Sequence, residues 1–455
     1  MKTFSRLFLL LTALLLTVSS VEAGIRCPLP MLDELFKSIR SEDRGPFDKR
    51  NIAKPQEGSS KKFWLWDFSI MPPGFRQVEA KCLAVTEHAY IFVETTVIEE
   101  VFPEGTVDAI VQALEHSCPA FDERGILDVD CDIFGQPPDA LDNDPKVYFL
   151  YADFAQYGHM AFDGYFNAFD QMPDEIAWQN YRQHSNEVEI LYLNAKAPAS
   201  DYMLSVLSHE FQHLIHYRYD QLEESWINEA MSEAAMTACG YFTDKAHLAR
   251  YCAHPQIPLV DVEHPSYGAV LLFGAYLLEQ FGEESLGRLV ACPETGIAGL
   301  EAAFPQLPFT DLFHRWACAN GCASLMGIDE GLWGYESFPL PKLKTLALGY
   351  ETSVLTLPAS GLAYLPLREE AHTLTITDVS PAAPSSHASS RLLRRQVLFN
   401  GMTPTLYLVM QGDDGLQVTP LTPEDKVYSI PGGEGFVLLS TLEMGGGSFS
   451  LTLSR

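Results

Sequence analysis

The chain has 455 residues, and its 60 acidic and 30 basic side chains give a formal net charge of −30 at pH 7. This balance argues against binding to nucleic acid or to an anionic membrane surface, because phosphate contacts need clustered lysine and arginine. With 47% hydrophobic residues, a chain of this length can fill two hydrophobic cores, so we expect two domains.

Residues 1–23 have the layout of a secretory signal peptide. Lys2 and Arg6 precede an apolar run over 7–18, and Ala23 lies directly before Gly24. The apolar run is too short to span a bilayer comfortably, and no later stretch reaches the necessary length. We therefore expect a secreted, extracellular protein without stable membrane insertion, and we expect it to be a monomer.

All nine cysteines follow the predicted signal peptide. Because exported proteins fold in an oxidising compartment, we expect disulfide bonds. The odd number leaves at least one cysteine without an intramolecular partner, and the spacing does not reveal the pairing.

The first part of the mature chain is polar. Residues 24–62 predict a leader that ends in a linker, and this leader is either a propeptide or a flexible arm. From Phe63 onward, short β-rich runs indicate strands, and one stretch has the spacing of an amphipathic helix. The predicted strands cover residues 63–68, 89–93, 146–151 and 189–193, and the predicted helix covers 107–114. We expect the last two strands to share a sheet, and we expect mainly helical structure over 203–325.

The motif HEFQH at residues 209–213 is the most informative part of the sequence. Four residues advance a helix by about 400°, so the imidazoles of His209 and His213 project from one face, as two ligands of a single ion must. Ser200 is a suitable N-cap, and apolar residues recur at helical intervals around the motif. The alternative is a surface helix with two hydrogen-bonded histidines and no metal.

A second helix is predicted over 225–235. Catalytic zinc needs three protein ligands and one open position, and Glu229 on this helix can be the third ligand. Glu233 lies one turn further along the same face, where it can accept a hydrogen bond from a ligating histidine. An acidic pair on a solvated face is the alternative for both residues. His216 is a poorer third ligand, because it is offset by about 60° from His213 around the helix.

Glu210 is the expected general base. It lies beside the predicted Zn²⁺ but points off the ligand axis, so it can take a proton from the activated water and pass it to the leaving amine. The alternative for Glu210 is a spectator carboxylate.

The segment HEFQHLIH at 209–216, followed by WINEA at 226–230, resembles the glutamate-zincin peptidases, most closely the bacterial hyicolysin-type family. The similarity covers residues 64–300 and departs from the family at Ala230, where such proteins usually carry glycine. The resemblance implies an α+β fold, with a zincin-type catalytic domain of mixed sheet and helical subdomain over 63–337.

The resemblance also implies a secreted zinc metallopeptidase that cleaves protein or peptide substrates. Tyr267 stands where a resembling family carries tyrosine, so it is the first candidate for the oxyanion donor. Tyr217 and His216 are weaker candidates, and a buried core tyrosine is the alternative for Tyr267. We expect the substrate to add to an edge of the sheet before the motif helix.

Three other functions agree less well with the sequence. A zinc aminopeptidase shares the Trp-x-Asn-Glu context, but its Gly-x-Met-Glu-Asn segment is missing from the sequence, which favours an endopeptidase. A non-catalytic zinc-binding adhesion protein is the second alternative, although it would have no use for Glu210. A serine hydrolase is disfavoured, because the sequence contains no Gly-x-Ser-x-Gly motif.

Residues 345–455 predict a small all-β sandwich domain. Short β-rich segments over 373–376, 405–409 and 448–453 are separated by glycine, proline and aspartate. Earlier in the chain, the acidic turn at 139–144 has oxygen ligands suited to Ca²⁺. Ordinary turn chemistry explains these acidic residues equally well.

Overall fold

The computed structural model describes nine stretches of the chain. They are residues 27–70, 73–154, 162–262, 264–328, 331–381, 404–412, 415–422, 427–442 and 446–454. The predicted signal peptide lies outside the described residues. The chain forms two compact units, of which the first joins the residues up to Ala246 with Phe281–Ala303, and the second joins His247–Gln280 with the residues from Phe304 onward.

The first unit contains a mixed sheet of six strands. The strands are β1 (Ser60–Asp67), β2 (Gly74–Val85), β3 (Ala89–Glu94), β4 (Val147–Ala152), β5 (Gly164–Phe166) and β6 (Ile190–Asn194). Their order is β1-β2-β3-β4-β6-β5, with β3, β4 and β6 parallel and the other pairs antiparallel. Every residue of β3, β4 and β6 is buried, which explains why these strands are nearly continuous apolar runs in the sequence.

The described residues contain twelve α-helical segments. They are α1 (Leu29–Lys37), α2 (Ile98–Val101), α3 (Thr106–Glu115), α4 (Ile126–Phe134), α5 (Asp174–Ile176), α6 (Asp201–Tyr219), α7 (Ser225–Ala238), α8 (Lys245–Ala253), α9 (Tyr267–Phe281), α10 (Glu283–Val290), α11 (Gly296–Ala303) and α12 (Phe309–Gly321). None of the helices in the described ranges is long and apolar enough to cross a bilayer.

Helix α6 carries the HEFQH motif and is a core helix. The side chain of Ser200 caps it by accepting the backbone N–H of Met203 at 3.3 Å. Every residue from Met203 to Tyr217 is buried, whereas a surface helix would expose one face. The helix packs against α4, α7, β5 and β6. These neighbours fix the direction in which its polar side chains point.

The second unit contains two antiparallel sheets. Their strands are β7 (Ser353–Leu357), β8 (Leu362–Pro366), β9 (His372–Pro381), β10 (Thr405–Gly412), β11 (Gly415–Leu421), β12 (Val427–Ile430), β13 (Gly435–Ser440) and β14 (Gly447–Ser454). One sheet has the order β11-β10-β13-β8 and the other β12-β9-β14-β7. Leu365 and Leu439 of the first sheet share a buried core with Leu374 and Phe449 of the second. Two antiparallel sheets with a common core agree with the prediction for this region.

The mixed α+β fold class is confirmed, and the strands and helix predicted before the motif are all present. Strands β2 and β5 and helices α1, α2, α4 and α5 were not predicted, and α1 lies in the polar leader. The two compact units divide the chain differently from the predicted domains, since 247–280 and 304–337 fall in the second unit. The predicted domain boundaries at 63–337 and 345–455 stay a prediction.

All nine cysteines lie in the described residues, and none of them forms a disulfide. The disulfides expected of an exported protein stay a prediction.

Candidate metal centre

Two histidines of α6 meet at one point. Nε2 of His213 lies 3.1 Å from Nε2 of His209, and both residues are at most 1% exposed. Because they are one helical turn apart, their rings leave the helix on the same face. The alternative of a solvent-exposed helix face is therefore wrong for this segment.

Glu229 of α7 joins the two imidazoles. Its Oε2 lies 3.2 Å from Nε2 of His209, and its Oε1 lies 3.8 Å from Nε2 of His213. Glu229 and Glu233 are both completely buried, so they are not an acidic pair on a solvated face. The structure thus brings together the three side chains that the sequence analysis selected as ligands.

A fourth potential ligand comes from the beginning of the described chain. Single ligand atoms of Cys27, His209, His213 and Glu229 all lie within 4.8 Å of one another. The backbone N–H of Leu29 donates to Sγ of Cys27 at 3.4 Å. Cys27 was not a predicted ligand, because it stands far from the motif in a polar leader.

The protonation states in this cluster suit metal binding. Burial lowers the pKa of His209 to about 3 and that of His213 to about 4. Both rings are therefore neutral at pH 7 and can offer a lone pair, which a metal ligand must do.

The surrounding carboxylates also favour a cation. Glu210, Glu229 and Glu233 are completely buried, and an ionised carboxylate in the interior costs several kcal/mol unless an opposite charge compensates it. Among the described residues, neither oxygen of Glu233 has a hydrogen-bond partner, and neither does Oε1 of Glu210. The buried cluster of histidine, cysteine and glutamate can therefore hold a metal ion.

Two residues of α7 orient His213. Its Nδ1 lies 2.7 Å from Oδ1 of Asn228 and 2.9 Å from Oγ of Ser232. The Ser232 hydroxyl donates to Oε1 of Gln212 at 2.6 Å, which leaves its oxygen free to accept. With Nδ1–H donating to Asn228, the lone pair of Nε2 faces Glu229. The sequence analysis gave Asn228 and Ser232 no role, although both flank the proposed ligand on its helix.

Carboxylates also lie near the outer nitrogen of His209. Oε1 of Glu233 lies 3.8 Å from Nδ1, a distance longer than the predicted hydrogen bond. Asp244 is 1% exposed, and its charge opposes the larger effect of burial by raising the pKa of His209. The nearby carboxyl oxygen of Glu233 favours the tautomer of His209 with the proton on Nδ1 and the lone pair on Nε2.

Glu210 lies between the cluster and strand β5. Burial raises the pKa of Glu210 well above its usual range, and the charge of Glu229 raises it further. A Cβ at Gly164 would lie 2.8 Å from Cγ of Glu210, so a glycine is needed for β5 to pass this close. On the other side, Oε2 of Glu210 contacts Sγ of Cys27 at 3.6 Å.

The candidates for the oxyanion donor belong to both units. Tyr267 begins α9 in the second unit, where its ring stacks on that of His247 with 5.2 Å between the centroids. Tyr217 packs its ring against Phe166 at 5.2 Å. His216 lies with Nδ1 3.4 Å from Nε2 of Gln212 and is not part of the potential ligand cluster in the described residues. The role of Tyr267 stays a prediction.

Glu189 lies close to the acidic turn at 139–144, a proximity that was not predicted from the sequence. Ligand oxygens of Asp139, Asp142 and Glu189 lie within 4.8 Å of one another. However, Nζ of Lys49 lies 2.6 Å from Oδ2 of Asp139, and Asp144 accepts a hydrogen bond from Tyr90 at 2.7 Å. These contacts are also those of an ordinary turn, so Ca²⁺ binding stays a prediction.

No protein-family model matches the chain, and no curated protein matches it either. The functional assignment therefore depends on the residues and distances described above.

Proposed function

We propose that the chain is a secreted zinc-dependent peptidase of the glutamate-zincin type, similar to the hyicolysin-type family, and that it acts as an endopeptidase. The observation that carries this proposal is the convergence of His209, His213 and Glu229 in a buried cluster beside Glu210. The resemblance of the HEFQH and WINEA segments to that family supports the same assignment.

The donor atoms favour zinc over the common hard cations. Two imidazoles and one carboxylate are a usual ligand set of catalytic zinc, whereas Ca²⁺ and Mg²⁺ prefer oxygen alone. When bound, Zn²⁺ polarises a carbonyl group and lowers the pKa of water toward neutrality. The ligands carry one negative charge between them, so they leave the metal a net positive charge for this task.

Glu210 is the proposed carrier of the proton. Its carboxylate is next to the proposed ligands without being one of the three, so an attacking water can donate to it. Burial raises the pKa of Glu210, and this disfavours the ionised form that a base needs. A bound cation would oppose that increase and bring the pKa of Glu210 back toward a value useful for a base.

Strand β5 offers a surface for an extended peptide. It ends the sheet, pairs with β6 on one side, and has no partner strand on its other side among the described residues. It also passes Glu210 at Gly164. An open strand edge binds peptide backbones with little regard to sequence or chain end, which favours cleavage of internal bonds.

A digestion of casein tests this proposal. The chain without residues 1–23 should contain about one zinc ion, as a single catalytic site requires, and should cut internal peptide bonds. A chelator and Glu210→Gln should each stop the cleavage, whereas Glu284→Gln on an exposed helix face should not.

Three other results would contradict the proposal or favour an alternative function. Cleavage that survives both the chelator and Glu210→Gln would contradict the proposal. If the protein releases only N-terminal residues from casein, it is the aminopeptidase of the alternative assignment. Zinc binding without cleavage, also in the Cys27→Ser variant introduced below, would favour the non-catalytic binding protein.

A further inference from the structure

The N-terminal segment, residues 27–44, packs against the rest of the first unit instead of forming a free arm. One apolar face of α1 and the residue that follows its C-cap are buried: Leu29, Leu32, Phe36 and Ile39 are at most 5% exposed. Helix α1 contacts α7, the helix that carries Glu229. The segment is therefore bound next to the candidate metal centre.

Polar contacts hold the C-terminal part of this segment. The backbone N–H of Arg40 donates to the hydroxyl of Tyr181 at 2.9 Å, and this hydroxyl donates to Asp43 at 2.6 Å. Arg44 donates to Oε1 of Gln221 at 3.1 Å, in the turn between α6 and α7. The segment is thus held at two separate positions, by Tyr181 and by Gln221.

Cys27 occupies the place that an attacking water would need. Its Sγ belongs to the cluster of ligand atoms and also lies 3.6 Å from Oε2 of Glu210. A water that reacts under general-base catalysis must touch both the metal and the base. The sulfur of Cys27 lies among the proposed ligands and beside the proposed base, where such a water would have to bind.

We propose that the N-terminal segment inhibits the peptidase, with Cys27 as the fourth ligand of the metal ion; this inference rests on the proposed function. A thiol that binds zinc loses its proton as the metal–sulfur bond forms. A zinc site with four protein ligands has no open position and is a closed site. Phe36 adds a second obstacle, because its ring packs on Phe166 of β5 with 6.2 Å between the centroids.

The chain also provides a place where the segment can be released. Residues 45–59 contain no helix or strand, and the side chains of Lys49 and Arg50 are 45% and 50% exposed. Exposed stretches of this kind are preferred sites of proteolysis. After a cut, the segment would be held by non-covalent contacts and the metal bond alone, and dilution would favour its departure.

Cobalt substitution tests the ligand role without measuring activity. With Co²⁺ in place of zinc, the parent chain should show sulfur-to-cobalt charge-transfer absorption in the near ultraviolet. Cys27→Ser should bind Co²⁺ but lose this band, and the matched control Cys131→Ser on α4 should retain it. If His209-dependent Co²⁺ binding shows no such band in the parent, Cys27 is not a ligand and the inference fails, while the proposed function stands. If Co²⁺ binding does not depend on His209, the proposed function itself fails.

Peptide hydrolysis tests the inhibition. In the open state, Cys27 is not bound to the metal ion. If less than about a tenth of the parent molecules are in this state, Cys27→Ser should be at least about tenfold more active than the parent. Phe36→Ala keeps the thiol but loosens the segment, so its activity should lie between those of the parent and Cys27→Ser. This second variant checks that the effect does not come from a folding defect of one variant. Equal activity in the parent and in Cys27→Ser would overturn the inhibition. A complete lack of activity in all variants with bound zinc would overturn both the inhibition and the peptidase assignment.

Discussion

Oε2 of Glu229 on α7 lies 3.2 Å from Nε2 of His209 on α6, with both side chains completely buried. The contact depends on the short turn that reverses the chain between the two helices. In that turn, Oδ1 of Asp220 accepts the backbone N–H of Leu222 at 2.9 Å. The packing of two consecutive helices therefore sets the geometry of the proposed ligands.

Replacing the proposed base should separate catalysis from metal binding. Glu210→Gln keeps the size of the side chain but cannot take a proton, so kcat should fall by about 10²- to 10⁴-fold. The zinc content should stay the same, because Glu210 is not one of the proposed ligands. The measurement is steady-state hydrolysis of a fluorogenic peptide in the Cys27→Ser background, with zinc determined by atomic spectroscopy. Unchanged kcat would show that Glu210 is a spectator.

Asn228 should matter for metal affinity, although it is not a proposed ligand. Asn228→Ala removes the acceptor 2.7 Å from Nδ1 of His213, which holds the ring in its tautomer and orientation. Loss of such a partner lowers metal affinity by about 10- to 100-fold. Competition with a chromophoric chelator measures this change, and Asn51→Ala at an exposed position is the control. Equal affinity in both variants would mean that the packing of α6 alone orients His213.

A methyl group at residue 164 should disturb Glu210. In Gly164→Ala, the new Cβ would lie 2.8 Å from Cγ of Glu210 and 2.8 Å from Cγ1 of Val206, so the strand or the carboxylate must move. Displacements near 1 Å can cost about 100-fold in rate, and we expect kcat to fall by at least about tenfold. Gly349→Ala, where the nearest atom would be 3.9 Å away, is the control. A fully active Gly164→Ala would mean that the added methyl group does not displace Glu210 from its working position.

The candidate centre was largely predictable because its signal is local. The spacing of His209 and His213 fixes one helix face, and the ligand chemistry of zinc calls for a nearby carboxylate. Cys27 was not predictable, because its approach to Glu210 depends on how the leader folds back over the first unit. The contact of Asn228 with His213 was not predictable for a related reason, because it depends on the rotation of α7 about its own axis. Strand β5 has only three residues, too few for an alternating pattern.

Oxidation should join Cys118 and Cys239 before any other pair in the first unit. A hydrogen bond between their side chains lowers the pKa of Cys118 to about 7, and a thiol with a lowered pKa is the more reactive one. The backbone N–H of Ala120 also donates to the carbonyl of Cys239 at 3.0 Å, which holds the two segments together. With oxidised glutathione as the oxidant, peptide mapping by mass spectrometry should find this disulfide, and it should add about 2–4 kcal/mol to the free energy of unfolding. Cys118→Ser should abolish the gain, and mapping that finds Cys118 reduced would contradict the prediction.

Glu223 should make the first unit less stable as the pH rises. Burial raises the pKa of Glu223 from 4.5 to about 7, although its Oε1 accepts the backbone N–H groups of Gly296 at 2.7 Å and Glu224 at 2.6 Å. Between pH 4.5 and about 7 the folded state keeps a proton that the unfolded state has lost. Because the unfolded state then binds fewer protons, the free energy of unfolding falls across this window and is constant above it.

Glu223→Gln removes this titration and keeps an oxygen that can accept both N–H groups. The variant should gain about 1–3 kcal/mol relative to the parent between pH 5 and pH 8, since one pKa unit corresponds to about 1.4 kcal/mol. Urea denaturation at the two pH values measures the gain, with Glu284→Gln as the exposed control. Parallel pH profiles for the parent and Glu223→Gln would mean that Glu223 is ionised in the folded state. The buried Oε2, which has no hydrogen-bond partner among the described residues, would then carry uncompensated charge.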